Sequence, residues 1–219
     1  MQDFIFEFIL NLIGLVISIF IARFALSGYG VVQSPNLLRL TFAFVSIASG
    51  FAILLASLFV SIEFRQVMLT VGLGAQTVGY FFIAMSHSLK KSFDFAPTAR
   101  LALIPLAFGA FVIPGNSIEH LVRSISFILL VYVSIETMAS YMQSRRSSTL
   151  MIGSGLGALA TAELMAWYNF IYPGLFYYPA LSIKVAGFAL LFVPFSRFGL
   201  SSGLHGGGRG VNSQVGSGV

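Results

Sequence analysis

Seven stretches of mostly apolar residues follow one another along this chain, at positions 4–26, 38–60, 66–87, 96–114, 119–142, 149–171 and 175–195. Runs of roughly 20 apolar residues match a helix crossing a hydrocarbon core about 30 Å thick. In lipid the backbone must pair its own polar groups, so such runs read as helices. The sequence therefore predicts an all-α, polytopic integral membrane protein of the cell membrane, with a seven-transmembrane-helix bundle over residues 1–200. The fourth run holds Arg100 near its start, Pro105 inside and Pro114 at its end. A helix kinked at Pro105 and a re-entrant segment are both open for it.

Composition supports a lipid solvent, with 57% hydrophobic and 9% charged residues, against about 25% charged in ordinary soluble domains. The net charge of +5 is then no nucleic-acid footprint; the bilayer is the expected partner and nucleic acid is not. The lack of cysteine excludes disulfides, iron–sulfur ligation and thiol nucleophiles. The first run has Asp3 and Glu7 where a signal peptide carries basic residues, and it is too long for a signal core, so it reads as a retained helix.

Basic residues set the orientation. With the N-terminus outside, Arg23, Arg39, Lys90, Lys91, Arg100, Arg145, Arg146, Arg197 and Arg209 fall on the inner side, against Arg65 and Arg123 outside. Such a bias predicts an outer N-terminus and an inner C-terminus. Trp167, Tyr168, Tyr172, Tyr177 and Tyr178 surround the last outer turn, Tyr172-Pro173-Gly174, and suit a membrane–water interface. The Gly/Ser-rich stretch 201–219 reads as a flexible cytoplasmic tail.

A faint repeat pairs Gln76-Thr77-Val78-Gly79-Tyr80 with Lys184-Val185-Ala186-Gly187-Phe188 at an offset of 108. It would relate spans 1–3 to spans 5–7 as parallel repeats around an odd fourth span, a 3+1+3 layout.

Lys184, in the middle of the last span, is the anomalous charge. A lysine at mid-membrane depth costs roughly 2.5–3.5 kcal/mol on insertion scales, so it needs a partner, a wet cavity or a task. Glu163 lies at matching depth across the outer turn, about 12–14 Å from it by helical rise, and is the expected partner. Glu136 is the other intramembrane acid, nearer the inner side, with Tyr132 and Ser140 one turn to either side. Lys184, Glu163, Glu136, Gln76 and Tyr132 are the ligand or ion-pair candidates. They form either a polar site for a ligand, proton or ion, or a buried pair that fixes helix register. The small-residue faces, Gly153-x-x-x-Gly157 in span 6 and Gly72, Gly74, Ala75 and Gly79 in span 3, predict close helix packing within the bundle, with a protein partner or homo-oligomer as the alternative use.

Chemistry beyond this is not expected. His87, His120 and His205 are scattered and share no ligand spacing, so no metal or haem site is predicted. No triad or nucleophile elbow is present, so no catalytic residue and no enzyme activity are predicted. Residues 182–188, Ser-Ile-Lys-Val-Ala-Gly-Phe, look locally similar to the lysine segment of microbial rhodopsins. That family places an aspartate where Ala180 stands and acids in its third helix, where this chain has none. No cofactor is therefore expected.

In architecture the chain resembles the seven-helix modules at the N-terminus of many prokaryotic sensor proteins. It shares the outward N-terminus, the basic inner edge Gln143-Ser144-Arg145-Arg146-Ser147 before a small-residue sixth span, and the ending Phe195-Ser196-Arg197. This resemblance implies a non-enzymatic, receptor-like or accessory signalling subunit acting through a membrane partner. The alternative is a small-solute or ion transporter with a polar centre around Lys184 and Glu163. Its layout is similar to that of the SWEET sugar transporters, though Pro35 is in a loop and span 5 has no proline.

Overall fold

The computed structural model describes residues 2–88 and 118–205, with side chains from 4 to 86 and from 118 to 196. The expected fourth span, 96–114, and residues 206–219 of the expected tail lie outside the described residues. Six helices are described: α1 (Gln2–Val32), α2 (Pro35–Ser57), α3 (Ile62–Ser88), α4 (Ile118–Ser144), α5 (Ser147–Tyr168) and α6 (Tyr177–His205). All six are long and apolar enough to cross a membrane.

Helix ends differ from the apolar runs where local chemistry decides. α1 continues past Leu26, because Pro35 forces only Ser34 into extended backbone, at φ −78° and ψ 124°. α6 continues to His205, so residues 201–205, expected in the tail, extend the last helix instead. Pro194 lies inside α6 and removes one backbone donor. α5 stops at Tyr168, and α6 starts at Tyr177 after a turn in which Gly174 takes φ +86°. There its N–H donates to Asn169 Oδ1 at 3.0 Å.

The α1–α2 and α4–α5 corners are built alike. Gln33 and Arg145 both sit in the left-handed region at φ 51°, and their N–H groups donate to Tyr29 and Tyr141 carbonyls at 2.8 and 2.7 Å. Ser34 and Arg146 follow in extended backbone. Their carbonyls accept from Leu37 and Leu38 in one corner and from Thr149 and Leu150 in the other. Corresponding positions are 112 apart, as 145 − 33 shows.

Packing closes the helices into a ring in chain order, with α6 returning to α1. α3 and α4 run in the same direction: Gln66 approaches Glu119 near both starts, and Thr77 meets Ser126 further along, Oγ1 to Oγ at 2.7 Å. α1 and α6 are also parallel, since Phe6 packs on Tyr178 and, further on, Phe20 and Phe24 pack on Phe192. We call upper the end at which α1, α3, α4 and α6 begin. Two three-helix units thus meet along two seams, a hydroxyl contact between α3 and α4 and a phenylalanine cluster between α1 and α6.

Within each unit one crossing is glycine-tight. A Cβ on Gly50 would lie 2.6 Å from the Gly72 carbonyl, and one on Gly155 would lie 3.0 Å from the Gly187 carbonyl. Gly153 and Gly157 face Met138 and Ser134 of α4, so this small-residue face is used inside the bundle. The ring is filled by Phe44, Ile47, Phe51, Tyr80, Leu130, Leu156, Leu159 and Phe188, all buried. Many large apolar side chains point outward, among them Ile19, Phe20 and Leu26 on α1 and Val67 and Val71 on α3. That is the surface expected of a bundle solvated by lipid.

Candidate functional site

The polar residues inside the bundle gather around a cavity of about 340 Å³ in its upper half. α1 contributes Glu7 and Asn11, four residues apart on one helical face. α4 contributes Glu119 and Arg123 at the same spacing. α5 supplies Glu163 and α6 supplies Lys184, with Phe51 of α2 and Arg65 of α3 completing the wall. The cavity reaches the surface beside Arg65, whose side chain is 42% exposed, and Phe170, which is 39% exposed.

Lys184 and Glu163 are the most buried charges of the cavity. Lys184 Nζ donates to Glu163 Oε1 and to Gln76 Oε1, both at 2.6 Å, and lies 5.9 Å from the Phe51 ring centre. The second oxygen of Glu163 accepts from Arg123 Nη1 at 3.3 Å, while Arg123 Nε and Nη2 reach Glu119 Oε1 at 3.1 and 2.9 Å. Nearer the opening, Arg65 Nη2 lies 3.5 Å from Glu7 Oε2. A buried ion pair adds little net stability, but an orphaned partner is costly, so this lattice fixes α3, α4, α5 and α6 in register.

The six charges lining the cavity sum to zero and are all paired: Arg65 with Glu7, Arg123 with Glu119 and Glu163, and Lys184 with Glu163. Not every polar atom is satisfied: Asn11 Oδ1 and Gln76 Nε2 are buried without a hydrogen-bond partner.

The structure brings Lys184, Glu163 and Gln76 together. It does not bring in Glu136 or Tyr132, which do not line the cavity. Glu136 lies 136 − 123 = 13 residues beyond Arg123 on α4, about 20 Å by helical rise, and its Oε2 is buried without a partner. Sequence reasoning missed Asn11 and treated Arg123 as an outer-edge charge. Arg123 is instead turned inward, its side chain 15% exposed. The signal available was spacing: Glu7 with Asn11 and Glu119 with Arg123 are polar pairs at i, i+4 inside apolar runs.

The cavity lining repeats at the same offset as the corners. Glu7 and Glu119, Asn11 and Arg123, Phe51 and Glu163, and Leu69 and Leu181 are each 112 apart, and all eight line the cavity. The offset of 108 read from the sequence pairs Gln76 with Lys184, which touch; the corners and the cavity walls repeat at 112.

A second cavity, of about 160 Å³, lies in the lower half, lined by Leu40, Phe44, Ile83, Leu156, Leu191 and Phe195 among others. Phe51, which lines the upper cavity, packs on Phe188 at 5.4 Å between ring centres, and both are fully buried. Lys184, Phe188 and Leu191 follow at i, i+4 and i+7 on one face of α6, so this face runs from the upper cavity past the phenylalanine pair to the lower one.

Comparison of this chain with protein families, curated proteins and solved structures finds no match.

Proposed function

We propose that this chain is a seven-span protein of the cell membrane, with its N-terminus outside, that carries a small polar solute through the centre of its bundle. The observation that carries this is the pair of cavities in line on one face of α6, divided by Phe51 and Phe188. An upper vestibule with charged walls, an apolar closure and a lower vestibule are the parts that alternating access requires. The repeated corners and paired wall positions support two parallel three-helix units of common origin, which could rock against each other about an axis along the membrane normal. A crossing by residues 96–114 would join the lower end of α3 to the upper start of α4. The orientation is supported by Arg39, Arg145 and Arg146 at the lower end and the Trp167–Tyr178 aromatics at the upper end.

A second reading keeps a receptor-like or accessory subunit that binds a ligand and passes the change to a membrane partner or a second copy. The tight hold of Glu163 and Gln76 on Lys184, 7% exposed, favours it. Because the chain lacks cysteine, single-cysteine labelling separates the two. For a transporter, Ala166→Cys reacts with an impermeant reagent from outside and Leu156→Cys from inside, with solute shifting the two rates in opposite directions. Labelling of Ala166→Cys alone, with no solute accumulated by proteoliposomes, supports the second reading.

A further inference from the structure

The two halves of the upper cavity share a framework but not a chemistry. At paired positions α1 offers Glu7 and Asn11, while α4 offers Glu119 and Arg123. Opposite Asn11 the wall is therefore a donor. Arg123 has five N–H groups, and the observed bonds to Glu119 and Glu163 use three of them. Lys184 has three, and Glu163 and Gln76 take two. Across the cavity, Asn11 is 3% exposed and its Oδ1 has no hydrogen-bond partner. One turn toward the opening on the same face is the Glu7 carboxylate.

We infer that the cavity takes a neutral α-amino acid as its zwitterion, with its carboxylate on Arg123 and Lys184 and its ammonium on Asn11 and Glu7. This deepens the solute-site reading above and rests on it. A sugar places no charge against the Arg123 and Lys184 cations on one side or the Glu7 carboxylate on the other. A simple anion would answer only the cations, and a simple cation only the carboxylate. A zwitterion answers both at once, and a primary ammonium supplies the N–H that the buried Asn11 oxygen lacks. A quaternary betaine carries the same two charges but has no N–H to give. The cavity volume of about 340 Å³ lies at the lower end of small-molecule sites, roughly 300–1,000 Å³.

The test is binding by the full chain in lipid nanodiscs, by calorimetry and thermal shift, with L-alanine, L-leucine, glycine betaine, acetate, methylammonium and glucose as probes. The amino acids are expected to bind at least tenfold more tightly than every other probe and to raise the Tm. Asn11→Leu removes an unpartnered acceptor, so the variant is expected to melt no lower than the native chain while losing at least tenfold in alanine affinity. Betaine or glucose binding as tightly as alanine overturns the proposal, as does unchanged alanine binding in a folded Asn11→Leu variant or no amino-acid binding at all. Proteoliposome uptake separates this outcome from the transport reading. Binding without accumulation leaves the zwitterion site and removes transport; saturable glucose uptake without amino-acid binding does the reverse.

Discussion

Asn11 and Arg123 stand 112 positions apart at matching places in two similarly built halves, each one turn beyond a glutamate on a wall of the same cavity. One presents a buried, unpartnered acceptor, and the other a guanidinium held by two carboxylates. The two facing walls thus differ in chemistry at positions 112 apart, which is what the proposed zwitterion site uses.

Glu163 bridges two cations, whereas Lys184 has one carboxylate and one amide. Glu163→Leu should therefore destabilise by about 3–5 kcal/mol, more than Lys184→Met, because it leaves a buried ammonium with an amide alone. The double variant should recover part of this loss. Thermal melts in detergent measure the coupling; a double variant equal to the sum of the two singles would show that the two residues do not pair in the folded protein.

Glycines at the α2–α3 crossing should separate by contact. A Cβ on Gly50 would meet the Gly72 carbonyl at 2.6 Å, whereas one on Gly74 meets nothing within 4 Å. Gly50→Ala is expected to cost about 1–3 kcal/mol through overpacking. Gly74→Ala is expected to gain up to about 1 kcal/mol from helix propensity. Equal effects at the two sites, read from denaturation midpoints, would contradict the close crossing.

The two corners should respond in parallel. Gln33→Val and Arg145→Val place a β-branched residue at φ 51° and should each cost about 1–2 kcal/mol. Glycine at either position should be neutral or mildly stabilising, since it adopts this conformation freely. The check is whether the Val-to-Gly difference in Tm agrees between the corners.

Topology is open to direct labelling. With the upper end outside, Asn169→Cys should react with an impermeant maleimide in intact cells and Ser144→Cys only after permeabilisation. The reverse pattern would invert the orientation.

The sequence carried the six described helices because each is a long apolar run, and length in lipid leaves few choices. It carried the contact of Lys184 with Glu163 because a hairpin fixes relative depth by counting residues from the turn. Asn11 and Arg123 stayed hidden for a different reason. Near a helix end, one turn decides whether a polar side chain faces headgroups or the bundle axis, and that rotation is set by packing against neighbours. The likeness of the corners at Gln33 and Arg145, 112 apart, was not legible either, because it lies in backbone conformation and not in residue type.

The two seams of the ring differ in kind, and this has a mechanical consequence. Thr77 and Ser126 hold α3 to α4 through one short directional bond, which is either made or broken and is worth about 0.5–1.5 kcal/mol. Phe20, Phe24 and Phe192 hold α1 to α6 through broad ring contacts that tolerate rotation. If the two units move apart as the proposed transport requires, the hydroxyl seam is the one that loses a discrete bond, while the ring contacts can turn without one being broken.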